Sequence, residues 1–135
     1  MREVKLAEAW YLHNSKFWRL LAIAAYQSVV RAPLREEVLY RGLPILLARF
    51  AERRLPSKAG RIVILVIAAL ASLDFASIHN PMPWTMPLPQ LSFGIGAWWV
   101  AWNRGIRYSI LMHFAVNLIF LVAMVERIWW SAHHL

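Results

Sequence analysis

The stretch IVILVIAALASL, residues 62–73, carries no charged side chain and runs directly into DFASIH, residues 74–79. A helix that begins at Arg61, contains this run and ends at His79 has the length and composition typical of one that crosses a hydrocarbon layer about 30 Å thick. Comparable runs lie on both sides of it, and 60% of the 135 residues are hydrophobic while 16% are charged. That composition is too apolar for a soluble domain of this size. The sequence therefore predicts an all-α, polytopic membrane helix bundle.

Helix breakers and basic linkers divide the chain into about five predicted helices. Pro33 lacks a backbone donor and disfavours helix in the residue before it, and the helix that follows is short enough to be a partial span. The other boundaries are the basic linker 51–60, the proline-rich segment 80–89 and Gly105. The predicted helices cover residues 17–32, 34–50, 61–79, 88–103 and 107–126. Residues 1–16 are expected to form a polar cytoplasmic segment ahead of a single transmembrane domain at residues 17–130.

The basic residues lie in the gaps between the apolar runs. The formal net charge is +8, but a nucleic-acid-binding protein gathers its cations and stacking aromatics on one solvated face, so nucleic acid is not a predicted partner. The clusters near Lys16, within residues 49–61 and at Arg104 and Arg107 all fall on one side if the N-terminus is cytoplasmic. This pattern predicts a multi-pass protein, and the compact, cysteine-free chain favours a bacterial inner (plasma) membrane.

Ionisable side chains inside apolar helices need a specific reason, because an Asp, Lys or Arg at the centre of a span costs about 2.5–3.5 kcal/mol. Glu36 and Glu37 are adjacent, and Arg41 follows Glu37 by one helical turn, where it can pair with a carboxylate. Two neighbouring carboxylates do not both ionise easily in a low dielectric. One of them can therefore be held charged by Arg41 while the other serves as a general base.

Two histidines and an asparagine complete this polar set. His79 ends the third predicted helix, and His113 and Asn117 are four residues apart, which places them on one face of the fifth. Together with Glu36 they could surround a water molecule. Taken singly, each has a simpler explanation, as a histidine at a helix end or as hydrogen bonds between helices. The combination favours an active site, because independent structural roles would not require these residues together.

Three short patterns make a family resemblance specific: EEVLYR at 36–41, FASIH at 75–79 and HFAVN at 113–117. In this order they resemble the EExxxR, FxxxH and HxxxN motifs of the CPBP family. These are the CAAX proteases and bacteriocin-processing enzymes, also called Abi, to which type II CAAX prenyl endopeptidases are related. The resemblance extends over roughly residues 32–118. It implies an intramembrane endopeptidase acting on a membrane-associated, lipidated or leader- or sorting-signal-bearing protein.

The resemblance also implies a division of roles in catalysis. Glu36, together with His79, would activate water for attack on a peptide carbonyl. His113 and Asn117 would stabilise the oxyanion of the tetrahedral intermediate. The chemistry is consistent with these residue types, because water needs a base and the oxyanion needs preorganised donors in a dry site.

Glu37 and Arg41 would, by the same resemblance, hold the site in shape. No cofactor is predicted. If a metal ion took part, Glu36, His79 and His113 could bind zinc and leave one position open, but the HExxH helix of common zinc peptidases is missing. A metal-independent glutamate mechanism is therefore favoured.

Two other classes of function compete with the peptidase. A non-catalytic membrane immunity or scaffold protein of the same fold would not need the polar set intact, and a proton-coupled carrier would be expected to contain an inverted repeat. Members of the family usually have several helices before the first motif, whereas this chain has one. Besides the membrane and a protein or peptide substrate, a homo-oligomer or a membrane partner is therefore a predicted interaction.

Overall fold

Helices make up nearly all of residues 15–79 and 87–134, the residues that the computed structural model describes, and no strand occurs among them. This confirms the all-α class. The predicted count of five helices is not confirmed, because the described residues form four continuous helical stretches. Residues 1–14 and 80–86, which include most of the predicted polar N-terminal segment and of the proline-rich segment, lie outside the described residues.

The first stretch joins three α-helical parts through two π-helical segments. The π segments are Tyr26–Arg31 and Val38–Gly42. The helices, in chain order, are α1 Ser15–Ala25, α2 Ala32–Glu37, α3 Leu43–Arg54, α4 Ser57–Ile78, α5 Leu88–Arg104 and α6 Ile106–His134. The predicted linker 51–60 is thus reduced to the two residues between α3 and α4.

Pro33 does not end the first helix, and the π segment before it explains why. A proline inside an α-helix lacks the N–H for a bond to residue i−4, and its ring clashes with that carbonyl. Here Ala32, the residue before Pro33, donates its N–H to the Gln27 carbonyl five residues back. This wider turn accommodates the proline without breaking the helix. The second π segment does the same before Pro44, since Leu43 donates to the Val38 carbonyl.

The chain divides into two compact units. The described residues 15–33 and 113–134 belong to the first, and residues 34–79 and 87–112 belong to the second. The second unit contains an apolar core in which α3, α4 and α5 meet. Its buried members are Ile45, Ala48, Trp98 and Ala101, with Ile64, Ile67, Ala68, Ala71 and Trp102 packed against them.

Small residues bring the helices of the second unit close together. A Cβ atom on Gly94 of α5 would lie 3.3 Å from the Ser72 carbonyl oxygen of α4, and one on Gly60 would lie 3.5 Å from the Glu52 Cα of α3. Ala48 and Ala97 are fully buried. Close approach through small residues is how helices pack in a bilayer, where lipid provides no hydrophobic drive for their association.

Within the part of the chain that the structure describes, two helices are long and apolar enough to cross a membrane, namely Ser57–Ile78 and Ile106–Ser131, each with a mean hydropathy of 2.1. Only 17% and 11% of their most apolar stretches are buried within the protein. The core helix of a soluble protein would be mostly buried, so exposed apolar surface on this scale favours contact with lipid.

Candidate active site

The centre of the candidate site is a pair formed by Glu36 and His79, both in the second unit. Glu36 lies in α2, and His79 follows directly after the last residue of α4. The Oε2 atom of Glu36 lies 3.4 Å from Nε2 of His79, and the two side chains are 17% and 33% exposed. These partial exposures leave the pair within reach of water.

The backbone fixes the orientation and the tautomer of His79. Its Nδ1 atom lies 2.8 Å from the carbonyl oxygen of Phe75, one turn earlier in α4. A carbonyl can only accept a hydrogen bond, so Nδ1 carries a proton and Nε2 is the nitrogen turned toward Glu36. A hydrogen bond between Glu36 Oε2 and His79 Nε2 would therefore need one further proton between these two atoms.

The interaction with the Glu36 carboxylate raises the pKa of His79, which lies just beyond the end of the α4 span. Burial acts in the opposite direction, and the hydrogen bond to the Phe75 carbonyl adds to the increase. The net effect is that protonated His79 is favoured in comparison with a free histidine.

The second glutamate, Glu37, is fully buried and has different partners. Its Oε1 lies 3.5 Å from Nη1 of Arg41, and its Oε2 accepts a hydrogen bond from the hydroxyl of Ser109. The same hydroxyl lies 3.1 Å from the carbonyl oxygen of Ala97. The Glu37 carboxylate is therefore tied to α6 through Ser109 and to Arg41, one turn further along its own helical stretch.

Arg41 is also buried, with a relative exposure of 1%. Its Nη2 lies 3.5 Å from the carbonyl oxygen of Gly94, and its guanidinium carbon lies 4.2 Å from the centre of the Phe75 ring. The face of an aromatic ring attracts a cation, and this attraction is strong where water is excluded. Arg41, in the second π segment, thus links α2, α4 and α5 through the Glu37 carboxylate, the Phe75 ring and the Gly94 carbonyl.

Phe75 lies between the two charged pairs. Its ring centre is 4.5 Å from that of His79 and 5.7 Å from that of Tyr40, while Arg41 lies against its face. Its carbonyl oxygen orients His79. A single phenylalanine, only 2% exposed, therefore positions groups of both pairs.

Ser109 was not among the predicted site residues, although the sequence contains a signal for it. It lies four residues before His113, so that Ser109, His113 and Asn117 recur at one-turn intervals on the same face of α6. Serine commonly forms hydrogen bonds between membrane helices. Without knowledge of its partner, Ser109 therefore does not stand out in the sequence as a site residue. Only the packing of α6 near Glu37 gives it a specific role.

Asn117 belongs to the first unit and binds backbone there. Its Nδ2 donates to the carbonyl oxygen of Ser28 at 2.7 Å. Ser28 lies five residues before Pro33, which has no N–H, and the N–H of Ala32 is used by Gln27. The proline therefore leaves the Ser28 carbonyl without its helical donor, and Asn117 supplies one.

His113 also belongs to the first unit and is buried, with 3% of its surface exposed. The geometry of the second unit thus brings together four of the six predicted site residues, namely Glu36, Glu37, Arg41 and His79. The two predicted oxyanion donors, His113 and Asn117, belong to the first unit.

The donor set offers a poor fit to a catalytic zinc ion, which takes three protein ligands. Glu36 and His79 supply two. Among residues 15–79 and 87–134, no three His, Asp or Glu side chains lie close enough together to hold a metal ion.

Comparison with known proteins identifies the family. No curated protein and no solved structure matched the chain. Residues 16–119, however, match the family described as type II CAAX prenyl endopeptidase Rce1-like, over more than half of the chain. This is a family of integral membrane proteases, and the match agrees with the resemblance of the three motifs. The chain belongs to the type II CAAX prenyl endopeptidase Rce1-like family.

Proposed function

We propose that this protein is an intramembrane endopeptidase that uses Glu36 and His79 to activate water. The observation that carries the proposal is the contact of 3.4 Å between Glu36 Oε2 and His79 Nε2. A carboxylate and an imidazole at this separation can take up and release the proton of a water molecule near neutral pH. Family membership supports proteolysis in general, and the paired geometry supports this choice of base.

In the proposed reaction, Glu36 accepts a proton from water as the water oxygen bonds to the peptide carbonyl carbon. His79 Nε2 shares the proton that Glu36 takes up, while the Phe75 carbonyl keeps the ring in place. Collapse of the tetrahedral intermediate breaks the C–N bond, and the proton passes to the departing amine. The water and the substrate are thus the only reactants, and no step involves a metal ion.

Glu37 and Arg41 act in this proposal by holding the site in shape. Both are almost fully buried, at 0% and 1% exposure, which leaves no surface for a substrate to contact. Arg41 lies against the Phe75 ring, and Phe75 in turn accepts the hydrogen bond from His79. Removal of the guanidinium would leave the Glu37 carboxylate buried with one partner fewer, which is costly in a low dielectric.

The motif resemblance supports His113 and Asn117 as donors to the oxyanion. An amide has two N–H groups, and the bond from Asn117 Nδ2 to Ser28 uses one of them. An imidazole and a carboxamide are suited to stabilise developing negative charge in a site from which water is excluded.

The proposed substrate is a protein that reaches the site within or beside the membrane, with a lipidated end, a leader peptide or a sorting signal near the scissile bond. The exposed apolar surface of α4, where Leu65, Leu70 and Ile78 are 69%, 61% and 56% exposed, supports a substrate that approaches through lipid. His79 lies at the end of this helix.

The test follows protein termini in cells that produce the wild-type chain, the Glu36→Gln variant or the His79→Gln variant. New termini in membrane-associated proteins should appear with the wild-type chain and be lost in both variants. Glu52→Gln is the matched control, because it removes an exposed glutamate of α3 that lies outside the site. It should process substrates as the wild type does.

Two outcomes would argue against the proposal. Termini that are unchanged when Glu36 and His79 are replaced would exclude these residues as the catalytic pair, whatever the family. Loss of activity on exhaustive chelation, with recovery on addition of zinc, would exclude the metal-independent mechanism.

A further inference from the structure

A dense group of cations lies at one end of the second unit, where α3 and α5 end and where α4 and α6 begin. The two residues between α3 and α4 and the single Gly105 between α5 and α6 hold these helix ends together. Seven exposed basic residues form this group, called here the cationic end: Arg49, Arg53, Arg54, Lys58, Arg61, Arg104 and Arg107. Among the described residues there, Glu52 is the one acid. Among the described residues of this end, seven cations thus stand against a single acid.

The cationic end lies opposite the Glu36–His79 pair. Lys58 and Arg61 are in the first turns of α4, and His79 follows its last residue. A helix of 22 residues is about 33 Å long, close to the thickness of a hydrocarbon core. The cations therefore lie at the level of one membrane surface when the candidate active site lies near the other.

Three of the guanidinium groups lie on aromatic rings. Arg49 is 5.4 Å from the ring centre of Trp102, and Arg54 is 5.3 Å from that of Phe50. The guanidinium of Arg107 lies 4.9 Å from the ring of Tyr108. Such contacts cover the apolar part of each arginine while its charge reaches a polar layer, as is typical of side chains at a membrane interface.

The apolar surface beside these cations distinguishes lipid from other anions. On α3, Leu47 and Phe50 are each 62% exposed next to Arg49, and on α4, Leu65 is 69% exposed one turn after Arg61. A nucleic acid or an acidic peptide would leave these side chains in water. A phospholipid would cover them with its acyl chains while its phosphate met the cations.

We propose that the cationic end binds the phosphate groups of anionic phospholipids, whose acyl chains lie along α3 and α4. Each basic residue near an anionic surface adds an attraction that falls off within a Debye length, so the cluster gives a preference for anionic over zwitterionic lipid. The proposal depends on contacts outside the candidate active site, and it holds whether or not the chain is a peptidase.

The test uses the full-length chain in lipid discs of phosphatidylcholine with increasing phosphatidylglycerol, with retained lipid measured by mass spectrometry. One triple variant removes charge from three residues of the cationic end: Arg53→Gln, Lys58→Gln and Arg104→Gln. A matched control removes three exposed cations elsewhere: Arg31→Gln, Arg35→Gln and Arg127→Gln. A third variant keeps the charge at the first three positions: Arg53→Lys, Lys58→Arg and Arg104→Lys.

The wild-type chain should prefer phosphatidylglycerol, and the first variant should lose affinity for it by on the order of 100-fold. The control and the charge-preserving variant should keep the preference, which also shows that the substitutions leave the chain folded. An equal loss in the control, or equal binding of both lipids by the wild type, would overturn the proposal. Displacement of lipid by soluble glycerol phosphate at similar concentrations would also overturn it, because the site would then be one for free phosphate.

Discussion

The two adjacent glutamates have contrasting surroundings, which support the different roles proposed for them. Glu36 is 17% exposed and faces His79, whereas Glu37 is fully buried between Arg41 and Ser109. The sequence predicted that one carboxylate would pair with Arg41 while the other served as base, and the family resemblance implied that Glu36 is the base. Of the two carboxylates, the partly exposed one lies beside His79, which supports Glu36 as the proposed base.

A pH–rate profile tests the role of the Glu36–His79 pair. The contact with Glu36 raises the pKa of His79, so the shared proton is retained to a higher pH than on a free histidine. The proposed base must release that proton before it can accept one from water. We therefore expect kcat/KM to fall as the pH drops through the raised pKa, with the acidic limb above about pH 6.5.

The control for this profile is Glu52→Gln, which should leave the acidic limb in place. An acidic limb near pH 4, where the pKa of an ordinary glutamate lies, would contradict the proposal that Glu36 and His79 share a proton.

Replacement of Ser109 with alanine should destabilise the protein. It removes the hydroxyl that donates to the buried Glu37 carboxylate. Loss of one hydrogen bond to a buried charge costs about 1–3 kcal/mol. The free energy of unfolding in mixed detergent should fall by that amount, whereas Ser92→Ala, at an exposed position of α5, should change it little. Equal effects of the two substitutions would show that the contact with Glu37 contributes nothing specific.

At the scale of elements, the two prolines of the first helical stretch shape the backbone without ending it. Each follows a π-helical segment, and in each case the residue before the proline donates to a carbonyl five residues back. The sequence rule that proline stops a helix was therefore wrong at Pro33, because one wider turn removes the steric reason for the rule. A widened turn also leaves a carbonyl that needs another donor.

Asn117 and Pro33 should be energetically coupled through that carbonyl. Asn117→Leu removes the donor to Ser28 and should lower the free energy of unfolding by about 1 kcal/mol. In a Pro33→Ala background, the new N–H at position 33 can donate a hydrogen bond to the backbone carbonyls of the preceding turn. The loss of unfolding free energy caused by Asn117→Leu should therefore be smaller in that background. A double-mutant cycle measures this coupling. The same cost in both backgrounds would mean that the proline does not create the need for Asn117.

Gly94 should not tolerate a methyl group. A Cβ there would lie 3.3 Å from the Ser72 carbonyl and 3.4 Å from Cδ1 of Phe75, and the Gly94 carbonyl faces Arg41. Gly94→Ala should therefore separate α5 from α4 and cost about 1–3 kcal/mol of stability, with reduced activity. Gly96→Ala is the matched control in the same helix, because no atom lies within 4 Å of its Cβ.

Unfolding in detergent distinguishes the two glycines. Gly96→Ala should be neutral or stabilising by about 0.5–1 kcal/mol, since alanine favours helix. Comparable stability of both variants would show that the helices have room to adjust.

At the scale of the whole molecule, a large exposed apolar surface fits a chain embedded in a bilayer, and so does the gathering of cations at one end of the second unit. The α4 span separates the cationic end from the Glu36–His79 pair along its length. The predicted topology, with basic segments in the cytoplasm, would place the candidate site toward the outer side. Membership of a family of membrane proteases supports the membrane location, and the orientation stays a prediction.

Single cysteines at the two ends of α4 test this orientation, and the absence of native cysteine makes the labelling unambiguous. The cysteine of the Ser57→Cys variant should react with membrane-impermeant thiol reagents added on the cytoplasmic side. The cysteine of the Ser77→Cys variant should react with the same reagents added on the outside. Reaction from the same side would contradict a membrane-spanning α4. Reaction from the reversed sides would keep the span and reverse the proposed topology.

The sequence by itself determined the all-α class, the family and the identity of the polar residues, because apolar runs and motif order are local properties of a chain. It also predicted the start and the end of α5 and the end of α4 to within a few residues, but it did not predict where α4 begins. It did not determine that the helix continues through Pro33, since that depends on a turn that widens by one residue.

Only the tertiary structure decided which polar groups meet. Glu36 with His79, Ser109 with Glu37, and Asn117 with Ser28 join residues far apart in the chain. These contacts depend on where small residues such as Gly94 allow two helices to approach each other. From the sequence alone, a given carboxylate could pair equally well with any of several donors. Distance and burial select among them, because a polar group in an apolar surrounding is stable only beside the partner that packing brings to it.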